Sequence, residues 1–259
     1  DDGDTLHFNR VSISRQIKSV LQGMQSHCDS VSNLLGIGSI PSNGTALSVV
    51  LHRPQTASMI IQDTLYGRTD IFEETVNRIT TGTQTETVSV LPIVGPGGIG
   101  KTTFTQHLYN DKKIKEHFAV RVWVCVSTDF DELRLSQQIL SSIEGSTSQY
   151  QTTSLDQLQI SITEKLKSKR FLIVFDDIWE CTTQDWETLL APLGKGETTG
   201  NMVLVTTRFP SKVDDVKTTN PVPLKGLEPD GFFKFFEALI FEGEKPENYN
   251  DELTDLAKD

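Results

Sequence analysis

Four apolar runs of strand length recur through the middle of the chain, each separated from the next by helical spacing. They are Val88 to Val94, Ala119 to Val126, Phe171 to Phe175 and Met202 to Thr207. They are continuously apolar rather than alternating, the pattern of strands buried on both faces of a parallel sheet. Between them, helices are predicted over 102–110, 132–144 and 155–168, the last capped by Ser154. A shorter helix is predicted over 186–190, ahead of the Gly-rich turn at 194–200. Strands alternating with helices predict an α/β fold with right-handed crossovers.

The flanking text has other periods. Ile13, Ile17, Val20, Met24, Val31 and Leu35 keep three- and four-residue steps, which predicts an amphipathic helix over 12–35. One such helix cannot bury its own stripe, so it either packs on the domain that follows or ends a helical domain, and the second is the expectation for residues 1–35. Residues 36–63 are rich in Gly, Ser, Pro, Asn and Thr and read as a linker, partly tied down. The α/β domain is expected over 64–222, opening with a helix over 71–80 that Asp70 would cap. From 223 to 259 the apolar set Phe232, Phe233, Phe235, Phe236, Leu239, Ile240 and Phe241 marks one helix. A second is predicted over 247–258, and together they look like the start of an all-α unit.

The chemistry concentrates at the strand ends. Gly95-Pro96-Gly97-Gly98-Ile99-Gly100-Lys101-Thr102-Thr103 has a glycine, four residues and then Gly-Lys-Thr, between a strand and a helix. In that setting backbone N–H groups and the helix N-terminus surround a phosphate, Lys101 reaches the β- and γ-phosphates, and Thr102 ligates Mg²⁺. Gly95, Gly97, Gly98, Ile99, Gly100 and Thr103 are the remaining binding candidates in the loop. Asp176 closes an apolar strand where a Mg²⁺-holding carboxylate belongs, and Asp177 is a candidate to polarise water, so Lys101 and Asp177 are the catalytic candidates. Arg208 leaves a later strand toward the ligand-carrying edge and is a candidate γ-phosphate sensor.

Composition narrows the alternatives. The chain has 259 residues and a net charge of −11, which argues against a broad nucleic-acid surface. No apolar run is long enough to span a membrane and no export signal opens the chain, so a cytoplasmic location is expected, compatible with nuclear residence. The 3 cysteines, Cys28, Cys125 and Cys181, are isolated, and Cys125 is expected in the core. The 5 histidines show no metal-ligand spacing. Trp123, Trp179 and Trp186 are expected in the core rather than stacked on a ligand.

These pieces together resemble the NB-ARC module of plant intracellular nucleotide-binding leucine-rich-repeat immune receptors, a P-loop NTPase of the STAND type. The resemblance rests on Gly95 to Thr103, Phe171 to Trp179, Val203 to Arg208 and Phe118 to Ser127. Trp179 resembles the coiled-coil class of these receptors. Tyr66-Gly67-Arg68 is similar to the adenine-side motif, which implies that backbone at Gly67 and Arg68 meets the base. The chain stops short of the Gly-Leu-Pro-Leu and Met-His-Asp motifs and of the leucine-rich repeats, so the resemblance implies one module of a longer receptor.

What the resemblance implies is an ADP/ATP switch for plant defence. ADP holds the receptor off, ATP permits oligomerisation, and slow Mg²⁺-dependent hydrolysis resets it. Nucleotide, the receptor's other domains and further receptor copies are the expected partners. The alternative is a multiple-turnover ATPase or small-molecule kinase. Against it stand the absence of a transporter signature, of an acceptor-site lid and of a glutamate after Asp176.

Overall fold

Period-two burial along the third strand shows how the domain is layered. Phe171, Ile173 and Phe175 join one apolar cluster while Leu172 and Val174 join another, so both faces of the sheet are covered. The computed structural model describes residues 55–81, 86–126, 130–145, 154–179, 181–214 and 217–240. These all belong to the unit His52–Asp259. The helices expected over 12–35 and 247–258 lie outside the described residues.

The elements follow the order α1 (Thr69–Thr81), β1 (Val88–Val94), α2 (Lys101–Asn110), α3 (Lys112–His117), β2 (Val120–Cys125) and α4 (Glu132–Glu144). After these come α5 (Leu155–Leu166), β3 (Phe171–Ile178), α6 (Thr183–Leu190), β4 (Asn201–Thr207), β5 (Val222–Pro223) and α7 (Pro229–Ile240). The strands form one parallel sheet in the order β2-β3-β4-β1-β5. Helices α4, α5 and α6 bury Leu135, Ile139, Leu158, Ile162 and Trp186 on one face. Helices α1, α2 and α3 bury Val76, Ile79, Phe104, Leu108 and Ile114 on the other.

Most expected elements stand, with local differences. Asp70 lies in the first turn of α1, which begins at Thr69, two residues earlier than a cap at Asp70 requires. Helix α3 is additional; the Asp111 carboxylate caps it by accepting from Lys113 N at 2.8 Å. Helix α6 starts at Thr183 because Thr182 and Asp185 close a capping box. Ser154 caps α5 as expected, accepting from Gln157 N. Strand β3 continues through Asp176 and Asp177 instead of ending before them. Residues 57–62, expected within the linker, are tied to α2: Gln106 Nε2 and Asn110 Nδ2 donate to the carbonyls of Ala57 and Ser58, each at 2.6 Å.

Candidate functional site

The glycine loop joins β1 to α2 at the carboxyl edge of the sheet, and its glycines are needed for different reasons. Gly98 and Gly100 have φ of 76° and 91°, the left-handed region that costs an L residue strain. A Cβ at either would meet nothing within 4 Å, so both positions face open space. Gly95 is sterically required, because a Cβ there would lie 2.6 Å from the Leu224 carbonyl oxygen. That carbonyl is fixed where Leu224 N donates to Val94 O at 2.8 Å, next to the β1–β5 pairing.

Lys101 opens α2 at 7% exposure, and its ammonium folds back to donate to Gly95 O at 2.8 Å and Pro96 O at 2.9 Å. Burial pulls its pKa down, the nearby Arg208 charge adds to this, and Asp177 and Asp176 oppose it. A cation held by carbonyls beside open loop space is the donor a phosphate would draw in.

Asp176 and Asp177 are positioned by a break in the sheet. Between β3 and β4 the register runs Phe175↔Val205 and then Ile178↔Thr207, so β3 carries one extra residue. Asp177 absorbs it with φ 59°, the only positive φ at a non-glycine among the described residues. Its N–H donates to Thr206 Oγ1 at 2.8 Å, and Thr206 Oγ1 donates to Asp176 Oδ1 at 2.6 Å. Thr102 Oγ1 donates to Asp176 Oδ2 at 3.0 Å. Asp176 is wholly buried, and burial raises its pKa against the lowering effect of these hydroxyls. A hydroxyl and a buried carboxylate form a hard oxygen donor pair that suits Mg²⁺.

Arg208 leaves β4 and returns over the loop. Its guanidinium is close enough to Gly97 that a Cβ there would lie 2.8 Å from Nη1. The Arg208 guanidinium carbon stands 4.4 Å from the centroid of the Trp179 ring. Trp186 is a core residue as expected, at 1% exposure. Trp123 is half-buried and packs against the core, whereas Trp179 is half-buried and is a platform for an arginine. Cys125 is also half-buried rather than in the core.

On the far side of the loop a cavity of about 430 Å³ opens among Thr64, Tyr66, Ile99, Thr103, Leu227 and Phe235. Tyr66 packs on Phe235 of α7 with centroids 5.8 Å apart. The Arg68 side chain braces the rim, with Nη2 donating to Lys225 O at 2.5 Å and to Ile99 O at 3.4 Å. Gly67 has φ 58° and sits against Gly231 of α7, where a Cβ would come within 3.3 Å of the Gly231 Cα.

The structure therefore brings the sequence-predicted residues to one edge. Lys101, Thr102, Asp176, Asp177 and Arg208 surround the loop, and Gly98, Ile99, Gly100, Thr103 and Arg68 border the adjoining cavity. Thr206 and Trp179 were missed as site residues. The Thr206-Thr207-Arg208 run at the strand end was the available signal for the first, while the second depends on register. Among the described residues no three His, Cys, Asp or Glu side chains form a metal cluster, and His107 instead bonds Gln62 O at 2.9 Å. No helix among them is long and apolar enough to cross a membrane.

A parallel sheet with a glycine loop entering a helix beside a buried strand-end aspartate defines a P-loop NTPase. Within that class, an NB-ARC domain profile matches residues 70–246, and the chain belongs to the NB-ARC family. It is 37% identical over 199 residues to Disease resistance protein RGA2 of Solanum bulbocastanum, covering 76% of this chain and 20% of that protein. It is 29% identical over 259 residues to the Putative disease resistance RPP13-like protein 1 of Arabidopsis thaliana, covering 99% of this chain and 24% of that protein. The chain thus spans about a fifth to a quarter of the length of these relatives. Among solved structures it resembles the Aeropyrum pernix ORC1 protein in complex with DNA, with TM-score 0.57 and 13% identity over 75% of this chain and 55% of that one. The Aeropyrum pernix ORC2 protein, described as ADPNP-ADP complexes, gives 0.53 and 15% over 73% and 56%. At such identities the likeness shows the fold alone.

Proposed function

We propose that the chain is the nucleotide-binding switch of a plant immune receptor, off with ADP and on with ATP. The observation that supports this most is the convergence of Lys101, Asp176 with Thr102, and Arg208 on one glycine loop beside a cavity. Lys101 holds the β- and γ-phosphates, the loop N–H groups cradle them, and Tyr66, Arg68 and Leu227 border the base side. When bound at Thr102 and Asp176, Mg²⁺ supplies charge neutralisation at the phosphates. Arg208 contacts only a nucleotide with a terminal phosphate, and such differential contact is what shifts a two-state equilibrium. Asp177, beside Asp176, is the acid available to polarise water for slow hydrolysis that resets the switch.

The disease resistance relatives support defence as the context, and cytoplasmic or nuclear residence follows from it. The receptor's other domains and further receptor copies are the proposed partners. The net charge of −11 sets the chain apart from a DNA-binding reading of its ORC-like fold. Calorimetry with ADP tests the site: binding by the wild-type chain and its loss in Lys101→Ala support the reading, and equal affinity in both removes it.

A further inference from the structure

Two cations stand at the phosphate loop in different ways. Lys101 is buried and closed onto two carbonyls, whereas Arg208 is exposed and stacked on an aromatic face. Among the described residues nothing accepts a hydrogen bond from the Arg208 guanidinium. Stacking engages the face of the guanidinium and leaves its edge of N–H donors available for an anion.

The stack is built by the sheet. Thr207 Oγ1 donates to Ile178 O at 2.8 Å and accepts from Phe209 N at 3.0 Å, locking the ends of β3 and β4 together. The extra residue at Asp177 sets Ile178 opposite Thr207, which brings Trp179 and Arg208 side by side. The Phe209 ring stands edge-on to Trp179 at 5.8 Å and holds the indole from another side. Gly97 leaves the space that the guanidinium fills above the loop.

We propose that Trp179 is a positioning residue that holds the Arg208 guanidinium over Gly97 for the terminal phosphate of ATP, and so sets the ATP-to-ADP preference. The inference rests on the switch reading of the site. A long exposed arginine loses rotamer freedom when it clamps an anion; one already stacked has lost most of it, so the contact costs less. ADP has no terminal phosphate and gains nothing from this arrangement.

The test is calorimetry with Mg-ADP and Mg-ATP on the full chain. It compares wild type, Trp179→Leu, Trp179→Phe, Arg208→Ala and the Trp179→Leu/Arg208→Ala pair. Trp179→Leu is expected to shift the affinity ratio toward ADP by about three- to tenfold. Trp179→Phe, which keeps an aromatic face, shifts it less. The pair shifts it no further than Arg208→Ala alone, because the indole acts through the guanidinium. Equal losses for both nucleotides in Trp179→Leu, or an unchanged ratio there beside a shifted one in Arg208→Ala, overturn the positioning role and leave the switch standing. An unchanged ratio in Arg208→Ala overturns both. Trp179→Met fills the space without an aromatic face and carries the same expectations if the leucine variant does not fold.

Discussion

Thr206 Oγ1 donates to Asp176 Oδ1 at 2.6 Å while accepting from the Asp177 N–H at 2.8 Å, so one hydroxyl fixes both acids at the end of β3. Thr206 is itself 1% exposed. Thr206→Val keeps the shape and removes this link. The buried carboxylate then loses a donor, and the chain is expected to lose about 1–3 kcal/mol of stability in urea unfolding. A loss no larger than that of an exposed Thr→Val change would show that the hydroxyl does not hold Asp176.

The same carboxylate predicts a pH dependence. Burial raises the Asp176 pKa, so between the ordinary carboxylate range and the raised value the folded chain binds more protons than the unfolded one. Stability from this group is therefore present at low pH and lost as pH rises through the folded pKa. Asp176→Asn removes the penalty and is expected to stabilise the nucleotide-free chain by about 1 kcal/mol near neutral pH, with a flatter profile above the carboxylate range. Unfolding midpoints across pH check this; a variant that is less stable than wild type at neutral pH contradicts it.

Two glycines in the loop separate clash from strain. Gly95→Ala drives a Cβ against the Leu224 carbonyl, which belongs to backbone and cannot swing away. It is expected to cost about 2–3 kcal/mol and to loosen β5 from β1. Gly98→Ala meets no atom and costs only the left-handed backbone, about 1–2 kcal/mol. Denaturation of the two variants side by side gives the order, and a larger loss for Gly98→Ala reverses it.

Which parts were legible in the sequence follows from how local each signal is. Strands β1 to β4 are continuous apolar runs, and the loop, Lys101, Thr102 and Asp176 stand in a linear motif. Helix α3 was not legible, because Lys112 to His117 buries only Ile114 and so carries no apolar stripe. Strand β5 is two residues long and gains its identity from pairing with Ile93 and Val94. Trp179 read as core because an aromatic after an apolar strand usually is. Only the register shift between Phe175 and Ile178 turns it toward Arg208. Asp70 looked like a cap because it precedes the apolar spacing of α1, yet Phe72 N bonds Arg68 O and draws the helix start forward.

Hydrolysis by the purified chain tests the switch most directly, because a switch must hold its nucleotide far longer than an enzyme does. Single- and multiple-turnover ATP hydrolysis measured with Mg²⁺ is predicted to give a rate well below the range of about 1–100 s⁻¹ typical of kinases. It should also depend on Lys101, with Lys101→Ala inactive and unable to retain ADP. Multiple turnover within that range would contradict the account and make this site a working enzyme.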